Sequence, residues 1–251
     1  MNHDPAAIPD PAVPASSAGE PSGQLSYAPT PVPTQLPLTR RVLRELLSWV
    51  WIILIFLFVT GTIVQARVIP SSSMENTLLI GDHLLMSRIG YDASLPFTQY
   101  HYRLWREPHR QQMIIFRSPN EPGLDLVKRL IGMPGDTVEI RSGVVFIDGK
   151  ELPEPYRNGS PNPNDNYDET RVPSGSYFVL GDNRDNSYDS RFWGFVPEDN
   201  ILGTPLVIYM SVEAPDEAWE SGRIRQRIAA YANVLLHPWR GVRWKRLFTV
   251  F

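Results

Sequence analysis

The 251-residue chain contains no cysteine. This absence excludes a thiol nucleophile, a thiolate metal site and any disulfide, because each of them needs a cysteine sulfur. A chain without thiols is indifferent to the redox state of its surroundings, so the absence indicates no particular compartment.

An excess of charge of one sign is also lacking, since 24 Lys and Arg residues stand against 27 Asp and Glu residues. Nucleic-acid binding needs a clear basic excess on one face, so we expect no nucleic-acid partner. With 42% hydrophobic residues, the chain is long enough to bury the core of one large domain or two small ones.

Long hydrophobic runs are scarce, and the sequence has one, from Leu46 to Val64. About 20 apolar residues in a helix span a hydrocarbon core roughly 30 Å thick, and we predict a single transmembrane helix within residues 40–66. Two alternatives stay open. The run could be a signal peptide cleaved after Val64-Gln65-Ala66, although it is longer than the usual hydrophobic region. It could also be a buried helix, although the sequence offers no second apolar helix to pack against it.

The basic residues around this run predict its orientation. Arg40, Arg41 and Arg44 precede it, and only Arg67 closely follows. The positive-inside rule then keeps the N-terminus in the cytoplasm and places the remainder on the other side of the bilayer. Residues 1–39 are rich in Pro, Ala and Ser and lack hydrophobic periodicity, so we predict a disordered cytoplasmic tail.

After the apolar run the pattern changes to short apolar segments separated by turn residues, which is typical of β-strands. We predict a mostly β domain over residues 67–212, with a surface excursion at 153–173 that has no pattern of its own. Arg141-Ser142-Gly143 and Asp148-Gly149 have hairpin spacing, and Asp-Gly favours a type I′ turn. The predicted strands are Leu78 to Ile80, His83 to Met86, Met113 to Phe116, Leu126 to Ile131, Thr137 to Ile140, Val144 to Ile147, Tyr177 to Leu180 and Pro205 to Tyr209.

The C-terminal segment, residues 213–251, alternates basic residues with bulky apolar ones, including Trp239 and Trp244. Two interpretations stay open. Part of the segment could be an amphipathic helix that lies on anionic lipid headgroups. It could instead pack on the β domain with its bases in water.

Hydrolysis of an amide needs a nucleophile, a base that activates it and donors for the developing oxyanion. A hydroxyl-rich turn, Pro70 to Leu78, lies a few residues beyond the apolar run and contains three serines. By itself such a turn is typical of a solvated linker. Lys128 interrupts an apolar run, where burial would disfavour its charged form, although an exposed lysine paired with a carboxylate is the commoner arrangement.

A dense polar turn runs from Gly181 to Arg191. Its three aspartates could bind Ca²⁺, but their spacing does not fit an EF-hand loop and the two arginines among them would repel the ion. We therefore predict no metal. The five histidines occur without a nucleophile-elbow signature, so the sequence does not favour a Ser-His-Asp triad.

Three blocks in this order, Pro70 to Met74, Val127 to Asp136 and Gly181 to Gly194, resemble the type I bacterial signal peptidases (leader peptidases), which are membrane-anchored Ser/Lys endopeptidases. The resemblance covers about residues 68–209. It implies an antiparallel β-sheet catalytic domain, no cofactor, and a single-pass protein of the bacterial inner membrane with its catalytic domain outside the cytoplasm. It also implies secretory preproteins as partners, cleaved after an Ala-x-Ala-like segment, with the lipid bilayer as the common surroundings.

By position, the resemblance implies that Ser73 is the nucleophile and Lys128 the general base. Ser71 would add its hydroxyl to the backbone N–H of Ser73 to form the oxyanion hole. Ser187 would hydrogen-bond the Lys128 amine and orient it.

Four further residues carry implied supporting roles. Asp189 and Arg191 would brace the polar turn as an ion pair. Ile69 and Val127 would line the shallow apolar pockets for small substrate residues.

Two positions depart from the family pattern. Asn76 stands where the family usually has proline, and Gln111-Gln112 where it usually has Gly-Asp. Neither change removes a catalytic atom, although losing the fixed φ of proline would loosen the turn after the nucleophile. A Ser/Lys processing protease with narrow targets and an inactive, membrane-tethered domain that binds extended peptides remain the alternatives.

Overall fold

The computed structural model describes residues 37–91, 93–94, 101–102, 107–219 and 222–251. The predicted disordered tail lies outside this description up to residue 36. The chain divides into two units, Met1–Glu45 and Leu46–Phe251, and the second contains all the strands named below. The four-part division drawn from the sequence stays a prediction.

A long apolar helix, α1, spans Leu38–Phe58 and continues as a π-helical turn over Val59–Ile63. None of the α1 side chains is buried, as expected for a helix that meets lipid rather than protein. Within the described part of the chain, Leu38–Ile63 is the single helix long and apolar enough to cross a membrane. The expected N-terminal apolar helix is therefore present.

The helical region ends at Ile63, three residues before the predicted boundary at residue 66. Thr60, Gly61 and Thr62 are weak helix formers, and the π-helical turn occupies these positions. Val64 has extended backbone angles and begins the first strand. Because Ile63 and Val64 are both apolar, the sequence did not indicate the change from helix to strand between them.

Short strands make up most of the second unit. The strands are β1 (Val64–Val68), β2 (Asp82–Ser87), β3 (Ala93–Ser94), β4 (His101–Tyr102), β5 (Met113–Arg117), β6 (Asp125–Gly132), β7 (Thr137–Arg141), β8 (Val144–Ile147), β9 (Lys150–Glu151), β10 (Tyr167–Arg171), β11 (Ser176–Leu180), β12 (Val196–Pro197) and β13 (Ile201–Ser211). The remaining α-helices are α2 (Ser190–Trp193), α3 (Ile224–Leu236) and α4 (Pro238–Gly241). Short 3₁₀ turns occur at Ser72–Met74, Arg184–Asn186, Glu198–Asn200, Asp216–Trp219 and Trp244–Arg246.

These strands form a seven-stranded sheet in the order β1-β2-β13-β5-β6-β11-β12, a four-stranded sheet in the order β10-β7-β8-β9 and the pair β3-β4. Every strand pair is antiparallel. The predicted mostly β, antiparallel fold is confirmed. Both predicted hairpins are also present, and their turns have positive φ at Ser142, Gly143, Asp148 and Gly149, as type I′ geometry requires.

Two local predictions are wrong. Leu78 to Ile80 is a turn, because the Leu78 N–H donates back to the Met74 carbonyl and the Leu79 N–H donates to Asp82 Oδ2. The excursion at 153–173 contains strand β10, which pairs with β7. Its signal was weak because most of its side chains are polar and only Tyr167 packs on the core, against Phe178.

The junction between helix and sheet has no linker, since β1 begins at the residue after the π-helical turn. Arg88, directly after β2, fixes this junction. Its backbone N–H donates to the Ile63 carbonyl and its guanidinium to the Gly61 carbonyl, each at 2.9 Å. The last helical residues and the first two strands are thus hydrogen-bonded into one piece.

The core beneath the serine turn consists of apolar side chains from β2, β5 and β13, together with Ile69, which directly follows β1. Met74 and Leu78 are fully buried in this cluster, one on each side of Asn76. Burying a side chain of this size contributes roughly 1.5–3 kcal/mol, so the turn that follows Ser73 is held down at two points.

The C-terminal segment contacts the β domain through two of its basic residues. Arg246 pairs with the buried Asp82 at 2.6 Å and donates to the Thr77 carbonyl at 2.8 Å. Arg243 donates to the carbonyls of Ile80 and Val212. These two bases are not in water as the second interpretation above assumed, because the buried Asp82 carboxylate requires a cation.

Candidate active site

Ser73 lies in the 3₁₀ turn Ser72–Met74 and is largely buried. Its Oγ is 3.3 Å from Ser71 Oγ, and its carbonyl accepts the backbone N–H of Asn183 at 3.1 Å. Asn183 also donates its side-chain amide to the Ser72 carbonyl. The serine turn is therefore fixed from below by apolar packing and from the side by the polar turn.

Lys128 lies on β6, opposite Ile114 of β5, and is 2% exposed. Its Nζ donates to Ser187 Oγ at 3.1 Å. Burial lowers the pKa of Lys128 from 10.5 to about 8, although the negative charge of Asp189 opposes the effect. A lysine in this environment exchanges its proton close to neutral pH, which an exposed lysine does not do.

A chain of hydrogen bonds continues from Lys128 into the polar turn. Ser187 donates to Asp189 Oδ2 at 2.7 Å, and Arg191 pairs with Asp189 Oδ1 at 2.9 Å. Arg191 also pairs with Asp165 at 2.8 Å. Because Asp189 is fully buried and accepts from both neighbours, the Ser187 hydroxyl is directed toward it and leaves its lone pairs to Lys128.

A second ion pair fixes the other end of the same turn. Arg129, next to Lys128 on β6, donates from Nε and Nη2 to the two oxygens of Asp182, at 2.7 and 2.6 Å. Thr77 donates to the same carboxylate. Asp182 and Asp189, two of the aspartates that could have bound calcium, are thus each paired with an arginine.

The candidate catalytic residues line a cleft of about 520 Å³, which contains Ser71, Ser73, Lys128 and Ser187. Within the described residues, no direct hydrogen bond joins Ser73 to Lys128; the Ser73 hydroxyl lies beside that of Ser71, and the Lys128 amine donates to Ser187.

A second cleft of about 350 Å³ adjoins the first and shares Ser71 and Ser73 with it. Ile69 and Val127, the predicted pocket residues, both line this second cleft. Arg67 and Asp125 also line it and form an ion pair at 2.7 Å. The structure thus brings the predicted catalytic and pocket residues to one continuous surface.

The two departures from the family pattern occupy turns of unusual backbone geometry. Asn76 has φ of +92° and donates its amide to the Tyr156 carbonyl at 3.0 Å. Asparagine tolerates positive φ, whereas proline is fixed near −65°, so the expected loosening at Asn76 is replaced by a specific tether. Gln111 likewise has φ of +67°, in a turn before β5.

Three residues that shape the site were not singled out in the sequence. A Cβ on Gly181 would lie 2.3 Å from Ser187 Oγ and 2.5 Å from the Ser73 carbonyl oxygen. Asn183 and Asn186 hold Ser72, the latter through a 2.6 Å hydrogen bond to its hydroxyl. Their position in a dense polar turn was the available signal, but the partners lie about 110 residues away along the chain.

Comparison with known proteins gives a consistent result. The family model "Signal peptidase, peptidase S26" matches residues 42–210. A probable signal peptidase I-2 of Synechocystis is 37% identical over 182 residues, which cover 64% of this chain and 77% of that protein. The signal peptidase I of Aquifex aeolicus is 33% identical over 253 residues, covering 76% and 94%. That of Leptolyngbya laminosa is 39% identical over 158 residues, covering 60% and 70%.

The matched region contains the apolar helix from its fifth residue, the serine turn, Lys128 and the polar turn. The chain therefore belongs to the signal peptidase family, peptidase S26.

Proposed function

We propose that this protein is a signal peptidase I that cleaves N-terminal signal peptides from secretory preproteins with Ser73 as nucleophile and Lys128 as general base. The observation that carries this proposal is the buried Lys128 amine beside Ser187, in the cleft that also contains Ser73. Because burial lowers the pKa of Lys128 to about 8, a fraction of the Lys128 amine is neutral at neutral pH and can accept a proton.

In the proposed reaction, Ser73 Oγ attacks the scissile carbonyl carbon while its proton passes to Lys128 Nζ. The ammonium then gives the proton to the leaving amine as the C–N bond breaks, and an acyl-enzyme remains on Ser73. Water, deprotonated by Lys128, hydrolyses this ester. The Ser71 hydroxyl and the Ser73 backbone N–H are the proposed donors to the oxyanion, which supports a role for the short Ser71 to Ser73 spacing.

The substrate is proposed to lie in extended form along the open edge of the sheet, beside β1. β1 is the terminal strand of the seven-stranded sheet, so one of its edges is free for pairing within that sheet. The side chains at the cleavage site then face the second cleft, where Ile69 and Val127 provide shallow apolar walls. These walls favour small residues such as alanine.

The bilayer and the preprotein are the proposed partners, and the proposed location is the bacterial inner membrane with the catalytic domain outside the cytoplasm. The arginines at the start of α1 support this orientation. An anchored enzyme then meets a substrate whose own signal helix lies in the same membrane.

The test is cleavage of a signal-bearing preprotein by the detergent-solubilised chain, read by mass spectrometry. Lys128→Ala and Ser73→Ala are expected to abolish cleavage, whereas Lys150→Ala, at an exposed lysine, retains it. Ser71→Ala is expected to lower kcat about 10²- to 10³-fold, as for loss of one oxyanion donor. Cleavage by Lys128→Ala at the wild-type rate contradicts the assignment.

The same measurement separates the two alternative functions. A processing protease with narrow targets cuts one precursor and leaves other Ala-x-Ala substrates intact. An inactive peptide-binding domain retains the substrate peptide without producing fragments, and Ser73→Ala then changes nothing.

A further inference from the structure

The last 30 residues, 222–251, contain seven basic residues and no Asp or Glu, although the whole chain has a net charge of −3. They lie beyond the region matched by the family model, residues 42–210. The proposed proteolysis assigns no role to the exposed basic residues of this segment.

Helix α3 presents an apolar stripe to solvent. Ile224, Ile228 and Leu235 are 65%, 61% and 83% exposed. At 100° per residue these three positions fall within a sector of about 40° on the helix. The opposite side of α3 packs on the domain through the buried Ala230. The stripe is thus an outward face of a helix that is itself fixed.

A pair of exposed tryptophans continues this apolar surface. Trp239 is 82% exposed and its ring lies 5.5 Å from that of Trp244, centroid to centroid. Leu236, between the stripe and Trp239, is also exposed. Tryptophans prefer the boundary between headgroups and acyl chains, where the apolar ring and the N–H group are both accommodated.

Basic side chains surround the stripe and the tryptophans. Arg225, Arg240 and Lys245 are exposed, whereas Arg243 and Arg246 are occupied by the interactions at Asp82 and its neighbouring carbonyls. Lysine and arginine beside an apolar surface can bury their methylene groups and keep their charge at the level of the headgroups.

We propose that α3 and the segment from Leu236 to Lys245, here called the C-terminal patch, lie in the headgroup interface of an anionic membrane. The absence of acidic residues makes self-association unfavourable, since two copies of the patch would bring like charges together. Anionic lipid provides the complementary charge. If α1 anchors the chain in the bilayer, the patch stays near the membrane surface, and its effective concentration there is high. The inference does not depend on the Ser73 and Lys128 mechanism.

The test uses the full chain reconstituted in vesicles of phosphatidylcholine with and without phosphatidylglycerol. Because the chain has no cysteine, Ile228→Cys carries a single environment-sensitive fluorophore, and Lys150→Cys, on the hairpin β8-β9, is the matched control. With brominated acyl chains we expect the Ile228→Cys label to be quenched about twofold or more in anionic vesicles, and the control label to stay unquenched.

Charge reversal gives the second arm. Arg225→Glu, Arg240→Glu and Lys245→Glu together are expected to return the Ile228→Cys label to its solvent-exposed emission, and added salt is expected to weaken the quenching of the original protein. Cleavage of a short peptide in detergent should be the same for both proteins, because none of these residues lines the clefts.

Three results overturn the proposal. The Ile228→Cys label could show the same emission in anionic vesicles as in detergent. Quenching could be as strong at the Lys150→Cys control, which makes it unspecific. The label could also become shielded in detergent as protein concentration rises, which identifies the patch as a contact between copies.

Discussion

At the residue scale, Lys128 determines how the proposed reaction responds to pH. Only the neutral amine can accept the Ser73 proton, and its fraction rises with pH until the pKa of about 8 is passed. We expect kcat/KM for a peptide substrate to increase about tenfold from pH 6 to pH 7 and to level off above about pH 9. A rate that falls across this range contradicts a lysine base.

The same burial predicts a stability cost that is paid at neutral pH. The folded pKa lies below the unfolded value of 10.5, so between pH 8 and 10.5 the unfolded chain binds more protons and the stability of the folded chain rises with pH. Below pH 8 both states are protonated and the full cost of burying the charge is present.

Lys128→Met removes this dependence. Between pH 8 and pH 10, the free energy of unfolding of the wild type should rise relative to that of Lys128→Met by up to about 1.4 kcal/mol per pH unit. Denaturant titrations at several pH values measure it. If the free energies of unfolding of the two proteins change in parallel with pH, the pKa of Lys128 is not lowered in the folded chain.

Gly181 is the residue where one methyl group is expected to be most harmful. Its Cβ would overlap Ser187 Oγ and the Ser73 carbonyl at the same time. A displacement of about 1 Å in a catalytic constellation can cost roughly 10²-fold in rate, and we expect Gly181→Ala to lower kcat by about this factor. Circular dichroism should show that the variant still folds; a variant with normal kcat contradicts the steric argument.

Which site residues were predictable depends on how local their signal is. Ser73, Lys128 and Ser187 each lie in a recognisable block of sequence, and the resemblance supplied their proposed roles. Gly181 and Asn183 act through contacts with Ser73 and Ser72, more than a hundred residues away. No local pattern encodes such a contact, because it arises only when the fold brings the polar turn against the serine turn.

At the scale of elements, the C-terminal segment fastens the turn that follows the nucleophile. Arg246 pairs with Asp82, which is fully buried, and also binds the Thr77 carbonyl. Removing the cation leaves a buried carboxylate without its closest charge partner. Arg246→Ala should therefore lower the free energy of unfolding by about 3 kcal/mol.

Arg240→Ala is the matched control, because Arg240 lies in the same segment and is exposed. Its effect on unfolding should stay within about 0.5 kcal/mol. Equal effects of the two substitutions in urea titrations would mean that the Asp82 interaction does not hold the segment in place.

The strands differed in how readily the sequence predicted them. β7 and β8 have alternating burial and a turn that needs positive φ, and both features are visible in the residues. β1 was hidden because it follows the apolar helix without a polar break. β10 was hidden because it is a terminal strand of its sheet with one packed side chain, so tertiary pairing rather than apolar pattern forms it.

At the scale of the whole molecule, the proposed orientation has a direct test. A tag placed before α1 should survive protease added to intact spheroplasts, while the β domain is digested, because the arginines at the helix start favour the cytoplasm. Detergent lysis is the control and should expose the tag. Removal of the tag in intact spheroplasts would reverse the assigned orientation.

The hydrogen-bonded junction at Ile63 and Val64 gives the proposed enzyme a molecular ruler. Ser73 follows Ile63 by ten residues, so even a fully extended chain would place it no more than about 35 Å from the end of the helix. With no linker to lengthen, this reach is constant. A preprotein held in the same bilayer is then selected by the position of its cleavage site as well as by its sequence. An Ala-x-Ala segment that is too close to the preprotein's own hydrophobic stretch, or too far beyond it, does not reach Ser73.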